Sequence, residues 1–311
     1  MDGDLIDTSR CNGARALFLC HADLAAGGRS MIHRSSIILC LAGWVYGTAC
    51  CAQTSSDHEP SPHFSKAIED NSFFVEEAFN QEDGVVQHIS TWTLFSTPSK
   101  EALYTFTQEW PLWGFRNQFS YTVLHQSVNP SGTSGLGDML VTYRYQLFTA
   151  GDWAAVSPRF SLIVPTGNRD QGLGWGTAGF QIALPVSKRL SENFIAHMNI
   201  LGTFHPGVTH VTATGKEVKH SLTGFAFGGS VLWLAADFLN IMLELMSESS
   251  SSIDARGNVV HETGAVVSPG VRFAIDIGEL QIVPGVGVPL RFREGGQDTG
   301  VFLYLSFEHP F

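Results

Sequence analysis

The sequence predicts an all-β chain: a transmembrane, antiparallel, up-and-down β-barrel of about twelve strands. Three observations predict it. Apolar residues recur with a period of two, which in an extended chain puts alternate side chains on opposite faces. Tight and longer connections alternate between the extended runs, as in a barrel that crosses a bilayer with an even number of strands. Charged residues make up only 15% of the chain, against about 25% in an average soluble protein, and no segment reaches the ~18 uncharged apolar residues of a spanning helix.

Composition also narrows the function. Apolar residues are 44% of the 311, too many for a disordered polymer. The net charge of -11 argues against a nucleic-acid binder, which needs a basic face.

Taken in chain order, the first fifty residues differ from the rest. The five cysteines are Cys11, Cys20, Cys40, Cys50 and Cys51, and none follows Ala52. That excludes a disulfide scaffold, a Cys-based zinc site and a thiol nucleophile from the main domain. It fits passage through an oxidising compartment. Residues 1–30 read as an upstream extension from a mis-assigned start, with Met1 and Met31 as the alternative starts. Residues 31–52 read as a signal peptide. His33 and Arg34 form its basic start, Ile37 to Tyr46 its short apolar core, and Gly47 to Ala52 a small-residue stretch for cleavage. A buried helix, or a lipid anchor at Cys50, is the alternative. Residues 53–84 read as a polar leader with a periplasmic or plug segment. Phe73 to Asn80 has β character and is expected to tuck into or beside the barrel. Its neighbouring acids Glu76, Glu77, Glu82 and Asp83 are expected to be solvated, with a lumen plug as the alternative.

The barrel is expected over 85–311. Its strands fall near 85–96, 102–110, 115–125, 136–148, 153–164, 174–187, 192–204, 221–235, 238–249, 262–275, 279–291 and 299–311. Phe225, Phe227, Val231 and Trp233 share one parity, and Gly224, Ala226, Gly228 and Ser230 the other. Ile282, Val286, Val288 and Leu290 alternate with Gln281, Gly285, Gly287 and Arg291 in the same way. Each run reaches the roughly 9–11 residues of a tilted membrane strand.

The connections then sort by length. Pro111 to Gly114, Thr149 to Asp152, Lys188 to Ser191, Ala236 to Asp237 and Asp276 to Gly278 are tight, and are placed in the periplasm with both termini. Gln126 to Gly135, Pro165 to Leu173, His205 to His220, Ser250 to His261 and Phe292 to Asp298 are longer and more polar, and are placed outside. The serine run Ser249 to Ser252 reads as a flexible loop tip. Trp110, Trp113, Phe115, Phe148, Trp153, Trp233 and Phe238 gather beside the tight turns, where amphipathic rings favour a bilayer interface. The last strand alternates through Val301, Leu303, Leu305 and Phe307 and stops at Phe311. A terminal Phe on such a strand resembles the signal by which outer-membrane proteins are recognised for barrel assembly.

Several motifs occur in order. Gly135-Leu136-Gly137-Asp138 opens a strand into Tyr143-Arg144-Tyr145. Ser157-Pro158-Arg159 leads to Pro165-Thr166-Gly167, then Gly174 to Gly179, and Pro269-Gly270-Val271-Arg272 comes late. Together, over residues 75–311, they resemble the outer-membrane barrel family labelled "MetA pathway of phenol degradation". The resemblance implies a transporter-like barrel in the bacterial outer membrane that takes up small, aromatic or hydrophobic molecules.

Charged residues on membrane strands must face the lumen, since a midplane Arg toward lipid costs about 2–4 kcal/mol. The expected lumen-lining set is Arg116, Asp138, Arg144, Arg159, Glu244, Arg272, Arg291 and Glu308. It is read either as a permeation lining or as a closed lumen stitched by Arg–carboxylate pairs. The chain is expected to be a monomer and not an enzyme, with no cofactor and no metal site. Its expected partners are outer-membrane lipid, the barrel-assembly machinery through the C-terminal strand, and a small solute. The alternatives are a structural barrel with binding loops, and a lipid-active hydrolase using His125 and Ser127, two residues apart on one strand face. That His-x-Ser pair resembles the motif of outer-membrane phospholipase A. Here Val128 interrupts the motif, and the third, orienting group is missing.

Overall fold

The computed structural model describes residues 72–96, 100–128 and 132–311. The expected extension 1–30, the signal peptide 31–52 and most of the polar leader lie outside the described residues. No helix among the described residues is long and apolar enough to cross a membrane.

The fold is the predicted one, a closed antiparallel barrel of twelve strands. The strands are β1 (Val85–Phe95), β2 (Ala102–Pro111), β3 (Asn117–Val128), β4 (Met139–Tyr145), β5 (Arg159–Val164) and β6 (Gly179–Ser191). They continue with β7 (Phe194–Val211), β8 (Glu217–Ala236), β9 (Leu239–Ile253), β10 (Val259–Phe273), β11 (Leu280–Gly287 and Leu290–Arg293) and β12 (Gly296–Pro310). Each pairs with its neighbours in sequence, and β1 closes on β12 from Val85–Pro310 to Phe95–Gly300. Closure pairs the two edges, β1 and β12, that an open sheet would leave exposed. Strand β11 breaks at Val288–Pro289, where the proline has no N–H to donate.

Alternation sets the two faces of the wall. Outward come Ile182, Met198, Ile200, Phe225, Leu243 and Leu245, all exposed. Inward come small or polar residues such as Thr105, Ser161, Gln181, Ser230 and Ser268. Trp113, Trp153, Phe148 and Phe238 are exposed at the end that carries the start of β1 and the end of β12, and Lys188 Nζ lies 3.8 Å over the Trp153 ring. That end is called terminal below, and the other distal.

Three of the expected long loops are strand instead. Strands β7 and β8 run on to Val211 and from Glu217, so the connection between them is only a tight turn. The next hairpin closes at Asp254 to Asn258, and the last at Glu294–Gly295. The serine run lies within β9, paired with Val260 to Thr263 of β10, and Ser251 is buried. Polar composition is compatible with a strand wherever a partner strand takes the backbone bonds and one face gains cover. Here Trp175 supplies that cover, packing with Val208, Leu222 and Ile253.

Candidate functional site

The lumen is the site, and a piece of chain runs through it. Residues 72–83 precede β1, turn inward at the terminal end and cross the barrel interior. Backbone N–H groups there have no strand partner, and a buried donor left unpaired costs about 1–3 kcal/mol, so the wall must supply acceptors. It does so with inward side chains. Glu244 Oε1 accepts from three successive amides, Phe73, Phe74 and Val75, at 3.0, 3.0 and 3.1 Å. Asn199 Oδ1 accepts from Glu76 N, Ser187 Oγ from Ala78 N, Gln146 Oε1 from Asn80 N and Gln118 Oε1 from Gln81 N. Inward polar residues on five strands or their ends thus serve as a template for one inserted segment.

Apolar packing fixes its start. The Phe73 ring packs on Phe302 and Tyr304 at 4.8 and 5.7 Å between centroids. Inward glycines make the room. A Cβ on Gly270 would stand 2.4 Å from the Phe73 ring, and one on Gly285 2.8 Å from it. Val75 sits the same way against Gly228, packing with Met246, Phe95 and Val266.

Charge fixes its middle. Glu77 pairs with Arg144 at 3.3 Å, and Glu76 pairs with Arg159. Arg144 also donates to the carbonyls of Glu77 and Phe79, to Asn80 Oδ1 and to Gln118 Oε1.

Beside the segment a chamber of about 130 Å³ opens within β1–β5 and β12. Toward β12 and the segment its lining is aromatic, with Phe74, Phe302 and Tyr304. Toward β2–β4 it is hydroxylic. Thr91 bonds Thr105, Thr107 bonds Thr122, and Thr142 bonds Ser161 across adjacent strands. Its floor carries Glu76, Glu77, Glu109, Arg144 and Arg159.

The distal connection 165–178 also turns inward. Asp138 holds it by accepting from Gly167 N and Trp175 N, both at 2.9 Å. Gly167 and Gly174 are small because each would otherwise collide with backbone or with Asp138. Trp175 thereby reaches His205, ring centroids 5.3 Å apart.

The sequence-predicted residues scatter over this arrangement. Arg144, Arg159 and Glu244 meet the inserted segment, and Asp138 holds the distal connection. Arg291 is buried at the distal end between Glu101 and Asp298, at 2.9 and 2.7 Å, with its guanidinium over the Phe95 ring. Glu308 bonds Gln87 near the terminal end. Arg272 is fully buried, and its contact is with the Tyr304 ring. Arg116 does not line the lumen: it is exposed in the turn before β3, donating to the Gln146 carbonyl. The turn runs on through Arg116 and β3 begins two residues later than expected, at Asn117, so Arg116 escapes the inward parity. His125 and Ser127 lie on the outer face of β3, and the contact of the His125 ring is with Ser134 at 3.5 Å. Phe311 caps the closing seam, donating its N–H to the Gly84 carbonyl.

Glu76 and Glu77, expected to be solvated, are instead lumen groups, because Arg144 and Arg159 face them across the interior. Glu109 was missed, although Thr105, Thr107 and Glu109 alternate in the lumen parity. Among the described residues no group of three His, Cys, Asp or Glu side chains is placed to hold a metal.

No known family matches the chain, and no curated protein matches it. Among solved structures it is similar to the COG4313 outer membrane channel from Pseudomonas putida F1. The identity is 16% and the TM-score 0.53, over 75% of this chain and 98% of that one. The CymD monoaromatic hydrocarbon channel matches at 9% identity and TM-score 0.38, over 74% and 89% of the two chains. A KdgM porin matches at 9% and 0.42, over 72% and 99%. At these identities the likeness is one of fold.

Proposed function

We propose that the chain is an outer-membrane barrel that passes small molecules, with the inserted segment closing its lumen. The observation that carries this is the kind of closure. The wall is sealed by strand ladders, whereas the lumen is filled by a segment held through side-chain acceptors and ring contacts. Such a segment can leave without breaking any strand pairing. The apolar outer face and the exposed rings at the terminal end support placement in a bilayer. The basic start, apolar core and small-residue stretch of residues 31–52 support export by a cleaved signal peptide, and the alternating last strand through Phe307 to Phe311 supports assembly through it. The resemblance to the phenol-degradation barrels supports a solute with an aromatic or hydrophobic body. The aromatic side of the chamber suits such a body.

The test is single-channel recording of the full chain in planar bilayers. Wild type is expected to be closed most of the time, with brief stepwise openings. Phe73→Ala removes the ring that seats the segment and should raise open time at least tenfold. A correctly folded barrel that stays silent in both forms would overturn the passage reading.

A further inference from the structure

We propose that the chamber recognises small monocarboxylates with an apolar body, and that Glu76 closes it by standing in for the carboxylate of that solute. This rests on the passage reading above and names the solute class for the same site.

Two ion pairs on the floor differ in kind. Arg144 is saturated: it reaches Glu77 with two nitrogens and takes two carbonyls and two side-chain oxygens besides. Its Glu77 side chain is only 6% exposed. Arg159 is held by one prong. Its Nη1 meets Glu76 Oε1 and its Nη2 donates to Gln181 Oε1 at 2.7 Å, while its Nε has no partner among the described residues. Glu76 Oε2 has none either, and the Glu76 side chain is 30% exposed. Both residues line the chamber.

The tether explains the mismatch. Glu76 is fixed by its own backbone, whose N–H and carbonyl are both taken by Asn199 at 2.7 Å. So held, its carboxylate meets the guanidinium with one oxygen. A free carboxylate in the chamber has no such constraint and can form the two-pronged pair that arginine favours. The exchange keeps the charge at Arg159 constant. A neutral analogue cannot make it, because it would leave a desolvated guanidinium unpaired. The same pose lays an apolar body against Phe74, Phe302 and Tyr304. Once Glu76 is released, one of the two charged ties on the segment is gone, so solute binding and opening are the same event.

The experiment compares two probes of one shape on the full chain in planar bilayers, sodium benzoate and benzyl alcohol, at millimolar concentration and neutral pH. Benzoate is expected to raise the opening frequency at least fivefold, and benzyl alcohol less than twofold. Arg159→Lys, which keeps the charge but not the fork, should weaken the half-effective benzoate concentration about tenfold. Glu76→Gln should raise basal openings and flatten the benzoate response. Equal responses to the two probes overturn the inference and leave passage standing. So does no response to benzoate in a wild type that opens once Phe73 is replaced. Silence in every variant removes both readings.

Discussion

The two stretches of the inserted segment are held by different physics. Residues 72–75 sit in a cradle of glycines and rings, with three amides on one carboxylate oxygen. Residues 76–80 sit over two arginines at the floor of the chamber. The first stretch is held by shape and by amides bonded to Glu244, contacts for which solutes in the chamber do not compete. The second is held by charge and faces those solutes. An anchored start and an exchangeable middle are what a closure needs if it is to open without being lost.

The contrast can be broken at its stronger end first. Gly270→Ala puts a methyl group into the Phe73 ring. Evicting that ring should weaken docking by up to about 3–5 kcal/mol, the range for deleting a buried Phe. Chymotrypsin should then cleave at Phe73–Phe74 while the barrel stays resistant. A segment that remains protected would show that the cradle is not its main anchor.

Glu244→Ala should come next, at about 2–3 kcal/mol, because three amides lose their acceptor. Glu244→Gln keeps a carbonyl oxygen there and should lie between the two. Amide exchange of Phe74 and Val75 reads it directly, and unchanged protection in Glu244→Ala would count against Glu244 as the anchor of those amides.

The smallest effect sharpens the comparison from outside. Asp254, in a distal hairpin, accepts from Asn258 N, from the Asn258 side-chain amide and from Arg256 N, and those bonds hold its carboxyl below its usual value. A carboxyl whose folded pKa is depressed stabilises the fold above its unfolded pKa. The contribution should be present above about pH 4 and fade as the pH falls through the folded value. The Asn258 amide resonance should follow that titration while the Phe74 amide does not move below the same pH. Joint movement would mean that hairpin and segment are coupled.

Parity made much of the wall legible. It placed Arg144, Arg159, Glu244 and Arg272 inward, because a strand has only two faces and lipid tolerates only one kind of side chain. It also put Gly228, Gly270, Gly285 and Gly287 on the lumen face. It could not say why they were small. Arg116 misled because parity ends with the strand, and a turn shifted that end. The distal hairpins misled because polar residues look like loop until a partner strand and the Trp175 ring are in place.

By itself the sequence determined the two-faced strands, their order and the closed wall, since period-two alternation and short connections act locally. Only the tertiary structure decided what fills the interior. The inserted segment has no period of its own, and its acids look solvated in isolation. It becomes a closure only where Glu244, Arg144, Arg159 and four glycines, distant in sequence, converge on it. Buried donors and charges need partners wherever the fold supplies them, and that demand is not written in the segment itself.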